Sequence, residues 1–455
     1  MAETASPPVA AETVAGRLWR VLRQAGVRAV YGDADRGLPV TARAPAALAP
    51  VLVAAHRRVH RELAASWVDG VLTIGAPAGG PAAAEVPPAC PPEGWVVLLD
   101  EPERVPDLVA LGVDAAAAGR YLAIRVDLDL AGPAGELRDP GPAEAPPTAP
   151  PEDHLARLAA AQRPVVLAGP GVITAGAVPA LHAFATAGQV GVLNTWGAKG
   201  IFPWQSPHHW ATIGLQRDDF RLAGLADADL IVAVGLDPDE SPAERWQLAP
   251  SLTLAPDRLG ALAHEWRRAA GLPPMPPLRH RLAEATQSGW TVRTGPLPPS
   301  RVTMTYGEIA ARGGLVAADP GTAGFWVART VGTTLLDTVI VPGHRVPPGF
   351  AVAAALVARI PSPARPVLAV LDDPAAGRVG ELLELAASLG LPVPVEVWTD
   401  DGPAPDAEPH AARLRGAVYG DAPAVLPLRT DARWLARMTD VAGPVIAWND
   451  RSTHP

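Results

Sequence analysis

The chain has 455 residues, too many for one hydrophobic core, so two or three domains are expected. Its formal net charge of −9 argues against a nucleic acid or an anionic membrane as a partner. The single cysteine, Cys90, excludes an internal disulfide and a cysteine metal cluster, and it favours a reducing, cytoplasmic location. No apolar run approaches the roughly 20 residues that a membrane-spanning helix needs.

The first part of the chain is predicted to be a small α/β domain over residues 13–130, after a disordered tail at 1–12. The apolar residues of Thr13–Gln24 have helical spacing, and Thr13 is suited to cap this helix. Three strands are predicted from apolar and β-branched runs, at Val27–Tyr31, Trp95–Leu99 and Tyr121–Val126. The Pro-rich passage at 131–152 predicts a linker.

The middle of the chain, residues 153–270, has the clearest pattern. Short apolar runs predict three buried strands, at Val165–Ala168, Val190–Leu193 and Leu230–Val234. Val178–Ala187 has helix-forming composition, and Gly188 is suited to end that helix. A strand–helix–strand unit predicts a parallel sheet, in which loops at the carboxyl ends of the strands carry ligands.

A second Pro-rich linker is predicted at 271–299, with a short helical piece around His280–Gln287. The third domain is expected over 300–455, with a capping box at Thr305–Glu308 that begins its first helix. Its predicted strands are Leu315–Ala318, Pro366–Leu371, Val395–Trp398 and segments near Ala424–Leu426 and Val445–Trp448.

The middle domain also carries a resemblance. Arg163-Pro164-Val165-Val166 precedes Gly169-Pro170-Gly171, Lys199-Gly200 precedes Pro203, and Ala228-Asp229-Leu230 runs into Val234-Gly235. This order resembles the central domain of thiamine-diphosphate-dependent enzymes of the acetolactate synthase, pyruvate oxidase and benzoylformate decarboxylase group. The resemblance implies an α/β fold of three consecutive domains with mostly parallel sheets, the first of them shortened in this chain.

The resemblance makes Glu62 the candidate catalytic residue. Glu62-Leu63-Ala64-Ala65 followed by Asp69-Gly70 is similar to the family's Glu-x-Ala-Ala and Asp-Gly pattern, with a spacing one residue shorter. In the family this glutamate hydrogen-bonds the aminopyrimidine ring of the cofactor. The hydrogen bond promotes the ring tautomer that deprotonates the thiazolium carbon. The alternative interpretation is a solvated helix residue beside a run of His and Arg.

The third domain holds the candidate cofactor residues that the resemblance implies. Asp319, Gly321 and Thr322 stand in the family's Asp-x-Gly-Thr pattern, and Gly349 lies in a similar glycine-rich turn. The family's metal motif is Gly-Asp-Gly, whose aspartate binds the Mg²⁺ that bridges the diphosphate. These positions hold Leu371, Asp372 and Asp373, and Asp400 falls on one of the family's two downstream asparagines.

Two interpretations of this motif compete. Asp372 and Asp400 could still bind Mg²⁺ and thiamine diphosphate. Alternatively, the extra carboxylates repel the diphosphate, while Leu371 and Asp373 crowd the backbone approach that glycines allow. The second interpretation is adopted, so a family protein with a degenerate or lost cofactor site is predicted.

Three functional hypotheses follow from these patterns. The first is a thiamine-diphosphate- and Mg²⁺-dependent lyase or transferase on 2-oxo acids, with Glu62, Asp372 and Asp400 in the site. The second, which is preferred, is a non-catalytic binding or assembly partner, for example of a catalytic paralogue. The third is a module that binds FAD or another nucleotide through the central loops. The resemblance implies a homodimer or homotetramer in every case.

Two further features of the central loops have alternative interpretations. His208-His209 is expected to be a solvated pair rather than a metal site, because no third ligand is apparent. Trp196, Trp204 and Trp210 are expected to pack between domains or subunits, and stacking on a small-molecule ligand is the alternative.

Overall fold

A computed structural model of the chain describes most of its residues. The described residues are 12–32, 41–69, 71–75, 94–117, 121–131, 133–134, 154–238, 240–343, 346, 349–372 and 378–448. They divide into two compact units, Met1–Thr148 and Ala149–Pro455.

The first unit contains a six-stranded sheet in the order β2-β1-β3-β4-β6-β5. β4 pairs antiparallel with both of its neighbours, and the other pairs are parallel. The strands are β1 (Val27–Gly32), β2 (Ala42–Arg43), β3 (Leu63–Val68), β4 (Val71–Ile74), β5 (Gly94–Leu99) and β6 (Tyr121–Val126). The helices are α1 (Val14–Gln24), α2 (Ala49–His60) and α3 (Val105–Ala117).

The second unit begins with a five-stranded parallel sheet in the order β11-β10-β7-β8-β9. Its strands are β7 (Pro164–Ala168), β8 (Gly191–Thr195), β9 (His209–Ile213), β10 (Leu230–Val234) and β11 (Ser251–Leu254). The helices around it are α4 (His154–Ala160), α5 (Gly171–Thr174), α6 (Val178–Gly188), α7 (Asp219–Leu222), α8 (Ala243–Trp246), α9 (Leu259–Glu265) and α10 (Pro277–Trp290). The central strands are buried along their whole length, which explains their continuous apolar sequences.

The same unit contains a second five-stranded parallel sheet in the order β13-β12-β14-β15-β16. Its strands are β12 (Leu315–Ala318), β13 (Val339–Ile340), β14 (Val367–Leu371), β15 (Val395–Trp398) and β16 (Val425–Leu428). The helices are α11 (Pro299–Ala311), α12 (Thr322–Thr330), α13 (Phe350–Arg359), α14 (Val379–Ser388), α15 (Ala407–Val418) and α16 (Arg433–Ala442). The predicted α/β fold with three mostly parallel sheets is therefore confirmed.

Several local predictions are corrected by this structure. Thr305 does not begin a helix, because α11 already starts at Pro299 and places the Thr305 side chain in the core. Val445–Trp448 is not a strand, and Val445 makes only an isolated bridge to Gln216. The helical piece predicted around 280–287 is part of α10, which has 14 residues.

Gly188 has a different role from the predicted helix cap. The left-handed residue that ends α6 is Gln189, with φ of 46°. Gly188 instead contacts the Trp266 ring, because a Cβ atom there would lie 2.2 Å from that ring. Close packing of an aromatic ring, rather than backbone conformation, explains this glycine.

The two sheets of the second unit are joined by buried polar contacts. The Arg329 guanidinium, on α12, donates to both carboxylate oxygens of Asp219 on α7, at 2.9 and 2.8 Å. Both side chains are at most 1% exposed. Trp196 Nε1, after β8, also donates to the carbonyl of Pro342 at 3.0 Å. The buried ion pair needs both charges, because either charge alone would be left without water.

Within the described residues, no helix combines the length and the apolar character needed to cross a membrane.

We expect Asp219→Asn to lower the free energy of unfolding by about 3 kcal/mol or more, because the variant leaves the buried Arg329 charge uncompensated. Urea unfolding followed by tryptophan fluorescence would measure this loss. The matched control is Glu381→Gln, which breaks a surface pair with Arg378 and should cost less than about 1 kcal/mol. Equal losses in the two variants would contradict the assigned role of the buried pair.

Candidate functional site

Two of the predicted cofactor residues meet at the carboxyl edge of the last sheet. β12 and β14 are neighbouring parallel strands, with Ala318 opposite Val370. Asp319 follows β12 directly and Asp372 follows β14 directly. The two carboxylates are close enough that the charge of Asp372 raises the pKa of Asp319.

The Asp319 carboxylate caps the helix α13. Its Oδ2 accepts a hydrogen bond from the Gly349 N–H at 3.0 Å, and its Oδ1 accepts one from the Ala351 N–H at 2.7 Å. The residue is 8% exposed. Because the first N–H groups of a helix lack partners within the helix, this carboxylate satisfies donors that would otherwise attract another anion.

The Asp372 carboxylate caps the helix α12 in the same way. Its Oδ1 accepts from the Ala323 N–H at 2.9 Å, and the Thr322 N–H also stabilises its charged form. Asp319 and Asp372 thus form a reciprocal pair. The aspartate after β12 caps the helix that leads into β14, and the aspartate after β14 caps the helix that leaves β12.

Gly321 is explained by this arrangement. Its φ of 132° lies outside the range that other residues adopt readily, and a Cβ atom there would fall 2.1 Å from Asp372 Oδ2. Glycine at this position therefore leaves room for the Asp372 carboxylate.

Burial makes both carboxylates costly to ionise. It raises the pKa of Asp319 to about 6, against the opposing effect of the two helix N–H groups. Burial also raises the pKa of Asp372, again against its own N–H donors. An additional anion at this edge would meet two carboxylates that are already poorly solvated.

Of the remaining predicted cofactor and metal positions, Gly349 belongs to the Asp319 cap. The others make no hydrogen bond to the capping carboxylates within the described residues, or lie outside them. Leu371 is a buried end residue of β14, 1% exposed. Gly349 has φ of 85° and contacts Leu382, and Asp400 is exposed after β15. Asp373 lies outside the described residues. Within the part of the chain that is described, no group of three or more His, Cys, Asp or Glu side chains is arranged to hold a metal ion.

A cavity of about 400 Å³ adjoins the caps. One side consists of the loop Pro320–Thr322, and the rest is apolar, formed by Phe325, Leu435, Val445, Ala447 and Trp448. Its size suits a small ligand, and its apolar wall does not favour a charged one.

Glu62 lies in the first unit, between α2 and β3, and its side chain is 47% exposed. The predicted helical context is wrong, because Ala64 and Ala65 belong to β3. Glu62 Oε2 lies 3.5 Å from Nε2 of the buried His56. Burial, followed by the charge of His60, lowers the pKa of His56 to about 4, so this imidazole is neutral at pH 7.

The loops of the central sheet pack tightly on each other. The Gly171 N–H donates to the Gly235 carbonyl at 2.8 Å, and a Cβ atom at Gly169 would lie 2.3 Å from that same oxygen. At the end of β8, the buried Glu240 carboxylate accepts from the Thr195 hydroxyl at 2.8 Å and from the Gly197 N–H. The loops after β7 and β10 are therefore in direct backbone contact at the carboxyl edge of this sheet.

The tryptophans and histidines of the central loops are mainly structural. Trp196 is fully buried and contacts Trp448, while the Trp210 ring lies against Gly191. Trp204 is exposed and lies under the Arg279 guanidinium. The prediction of a solvated pair is wrong for His209, whose Nε2 shares a 3.0 Å hydrogen bond with Asn194 Oδ1.

The sequence analysis did not predict that Lys199 is buried. It is 6% exposed at the end of the turn that follows β8. Burial, followed by the charge of Arg329, lowers its pKa to about 7. The available signal was composition, since Lys199 is the single lysine among the chain's 38 lysine and arginine residues.

Comparison with known proteins agrees with this architecture. Residues 152–255 match the family described as thiamine pyrophosphate enzyme, central domain. A protein of Bacillus subtilis (strain 168) named as thiamine pyrophosphate-containing, YdaP, is 25% identical over 266 residues, which are 53% of this chain and 46% of that protein. An acetolactate synthase of Mycobacterium avium is 24% identical over 333 residues, 64% of this chain and 54% of the synthase.

An X-ray structure from Mycobacterium smegmatis, described as a candidate thiamin diphosphate-dependent enzyme, has a TM-score of 0.67 and 17% identity. The matched region covers 92% of this chain and 99% of the Mycobacterium smegmatis chain. The likeness at this identity concerns the fold, and the chain spans about half the length of the curated relatives named above.

We expect Gly321→Ala to destabilise the protein by about 2 kcal/mol, because the methyl group meets Asp372 and the backbone conformation is strained. Adding Asp372→Ala should recover part of this loss, since it removes the clash but not the strain. Gly307→Ala is the control, because that helical glycine has open space and should gain up to about 1 kcal/mol. Strictly additive losses for Gly321→Ala and Asp372→Ala in urea unfolding would contradict the contact.

We expect Lys199→Met to stabilise the protein more at pH 6 than at pH 10. Between a folded pKa of about 7 and the ordinary value of 10.5, the unfolded chain binds more protons than the folded chain, so native stability rises with pH. The advantage of the variant should shrink across this range by at least about 1.4 kcal/mol, the equivalent of one pKa unit. Urea unfolding at pH 6, 8 and 10 measures it, and a pH-independent difference would contradict the lowered pKa.

Proposed function

We propose that this chain, a relative of the thiamine-diphosphate-dependent enzymes of the acetolactate synthase type, does not bind the cofactor at the family's position and serves as a non-catalytic binding or assembly partner. The proposal rests on one observation above all. The N–H groups that a diphosphate would use at the edge of the last sheet are bound by Asp319 and Asp372.

The donor set supports this proposal. A Mg²⁺–diphosphate group needs free N–H donors, small residues beside the phosphates and several oxygen ligands on the metal. Asp372 Oδ1 already accepts from the N–H of Ala323, so only part of the ligand capacity of this carboxylate is left for a cation. Leu371 takes the place of a glycine, and Asp400 is exposed in the turn that follows β15. These residues do not fit the group.

The alternative function is an active lyase or transferase on 2-oxo acids, with Glu62 as activator and Asp372 and Asp400 as Mg²⁺ ligands. It would require Asp372 to bind a metal ion while its Oδ1 also caps α12. The nucleotide alternative, with FAD as an example, would require the loops at Gly171 and Gly235 to separate. The closed geometry favours neither of these activities.

The assembly part of the proposal follows from the relatives. Enzymes of this family are typically oligomeric, so we propose a homodimer or homotetramer, or a mixed assembly with a catalytic paralogue, in the cytoplasm. Light scattering on the purified chain tests self-assembly. Co-expression with an acetolactate synthase of the same organism, followed by affinity purification of the tagged chain, tests the mixed assembly.

We expect calorimetric titration of the full chain with thiamine diphosphate in the presence of MgCl₂ to give no binding heat. The thermal unfolding temperature should also stay unchanged at saturating cofactor, because a ligand that binds only the folded state would raise it. The Mycobacterium avium acetolactate synthase, titrated under the same conditions, is the positive control. The absorption spectrum of the purified chain should show no flavin band.

Mg²⁺-dependent binding that disappears in Asp372→Asn would overturn the proposal in favour of the active enzyme. Binding that survives Asp372→Asn would contradict the expected absence of cofactor binding by the chain, with the cofactor at a site other than the family's position.

A further inference from the structure

We propose that the cavity beside the Asp372 cap binds a small uncharged molecule that has two fused rings and one hydroxyl or carbonyl group. The cavity has a volume of about 400 Å³, and the loop Pro320–Thr322 and the segment Val445–Trp448 contribute to its wall. A molecule of this kind differs in chemical class from thiamine diphosphate. The inference does not depend on the assembly role proposed above.

The volume of the cavity sets the size of the ligand. In other proteins an apolar cavity of about 150 Å³ holds benzene, and sites for small molecules usually measure about 300–1,000 Å³. The cavity in this chain, at about 400 Å³, lies at the small end of that range and exceeds what a single ring fills. A two-ring compound covers more of the apolar wall, and the apolar area that it removes from water favours binding.

The wall formed by Val445–Trp448 is held in place by hydrogen bonds. The Ile446 and Ala447 N–H groups donate to the Leu215 carbonyl at 2.9 and 3.2 Å. Trp448 Nε1 donates to the Pro342 carbonyl at 3.1 Å. Because this wall is already ordered, a ligand that binds there costs little additional conformational entropy. The indole N–H is in use, so the Trp448 ring offers the ligand apolar contact.

Trp448 also has an unusual backbone conformation. Its φ of 61° lies in the left-handed region, which a bulky residue rarely adopts. Strained conformations of this kind persist where the surrounding structure holds them, and they are concentrated at ligand-binding and active sites. The strained residue belongs to the cavity wall, which supports a binding role for the cavity.

The charges around the cavity select against ions. Of the described residues that line it, none has a charged side chain. Gly321 in the wall adjoins the Asp372 carboxylate, since a Cβ atom at Gly321 would lie 2.1 Å from Asp372 Oδ2. This carboxylate and that of the neighbouring Asp319 would repel an anion. An organic cation would lose water without finding an ion-pair partner on the lining side chains, so a neutral ligand is favoured.

One hydrogen-bonding side chain remains for the ligand. Among the described lining residues, Thr322 and Trp448 are those whose side chains carry a polar atom, and the Trp448 N–H already binds Pro342. Thr322 is exposed at the start of α12, so its hydroxyl is accessible to a bound molecule. A hydroxyl can donate to a ligand oxygen or accept from a ligand hydroxyl. This group predicts one polar substituent on an otherwise apolar ligand.

We expect 6-fluoronaphthalen-2-ol, which is neutral at pH 7, to bind the full chain with a dissociation constant below about 1 mM. Fluorine NMR of the ligand during titration with the protein measures the shift and broadening of its resonance. Two analogues of similar size carry opposite charges, the anion 6-fluoro-2-naphthoate and the cation (6-fluoronaphthalen-2-yl)methylammonium. Each should bind at least about tenfold more weakly than the neutral compound, because the cavity supplies no partner for either charge.

Three variants locate the bound ligand. Leu435→Trp fills the cavity from α16 and should abolish binding. Leu389→Trp is the matched control at an exposed position after α14 and should leave the affinity unchanged. Thr322→Val keeps the shape of the side chain but removes its hydroxyl, so it should weaken binding about fivefold. Thermal unfolding of each variant checks that the fold is retained.

The proposal is wrong if the neutral compound does not bind, if either charged analogue binds as tightly, or if folded Leu435→Trp binds as well as Leu389→Trp. Should Leu435→Trp fail to fold, Thr322→Val decides the location. An unchanged affinity in Thr322→Val then contradicts the assigned site.

Discussion

The reciprocal caps of Asp319 and Asp372 govern the candidate site at the end of the last sheet. Each carboxylate joins the loop after one strand to the helix beside the neighbouring strand, so neither loop can change without losing hydrogen bonds in the other. Burial penalises both charges, and the helix N–H groups offset that penalty. Helix N–H groups at this edge bind anions in other parallel sheets. In this chain they are bound by the carboxylates of Asp319 and Asp372.

The strands were predictable because burial on both faces leaves a continuous apolar sequence, as in Leu230–Val234. Where packing decides, the sequence misleads. Thr305 matches a capping box, yet the helix that contains it begins six residues earlier, at Pro299. Glu62 matches a family pattern, yet the residues after it form a strand, because Leu63–Val68 pairs with both β1 and β4. A local sequence pattern does not predict which distant strands a segment pairs with.

The candidate site was predictable in its residues but not in its bonds. The resemblance identified Asp319, Gly321 and Asp372 as a set, and the structure brings these three together. The extra carboxylates of the metal motif, Asp373 and Asp400, predicted repulsion of a diphosphate. The sequence could not reveal that the same carboxylates satisfy two helix termini, because residues 319 and 351 meet only after the strands have paired. Gly321 has the same limitation, since its clash partner is distant in the chain.

The buried cationic side chains near the central sheet differ from the two aspartates in their hydrogen bonding. The aspartates are buried and accept hydrogen bonds from the N–H groups of two helix termini, so they stabilise the fold. Among the described residues, Arg329 Nε is buried with no hydrogen-bond partner, and Lys199 beyond β8 is 6% exposed. An unused polar group in a dry interior costs free energy, and a fold retains it more readily when a bound molecule supplies the missing partner.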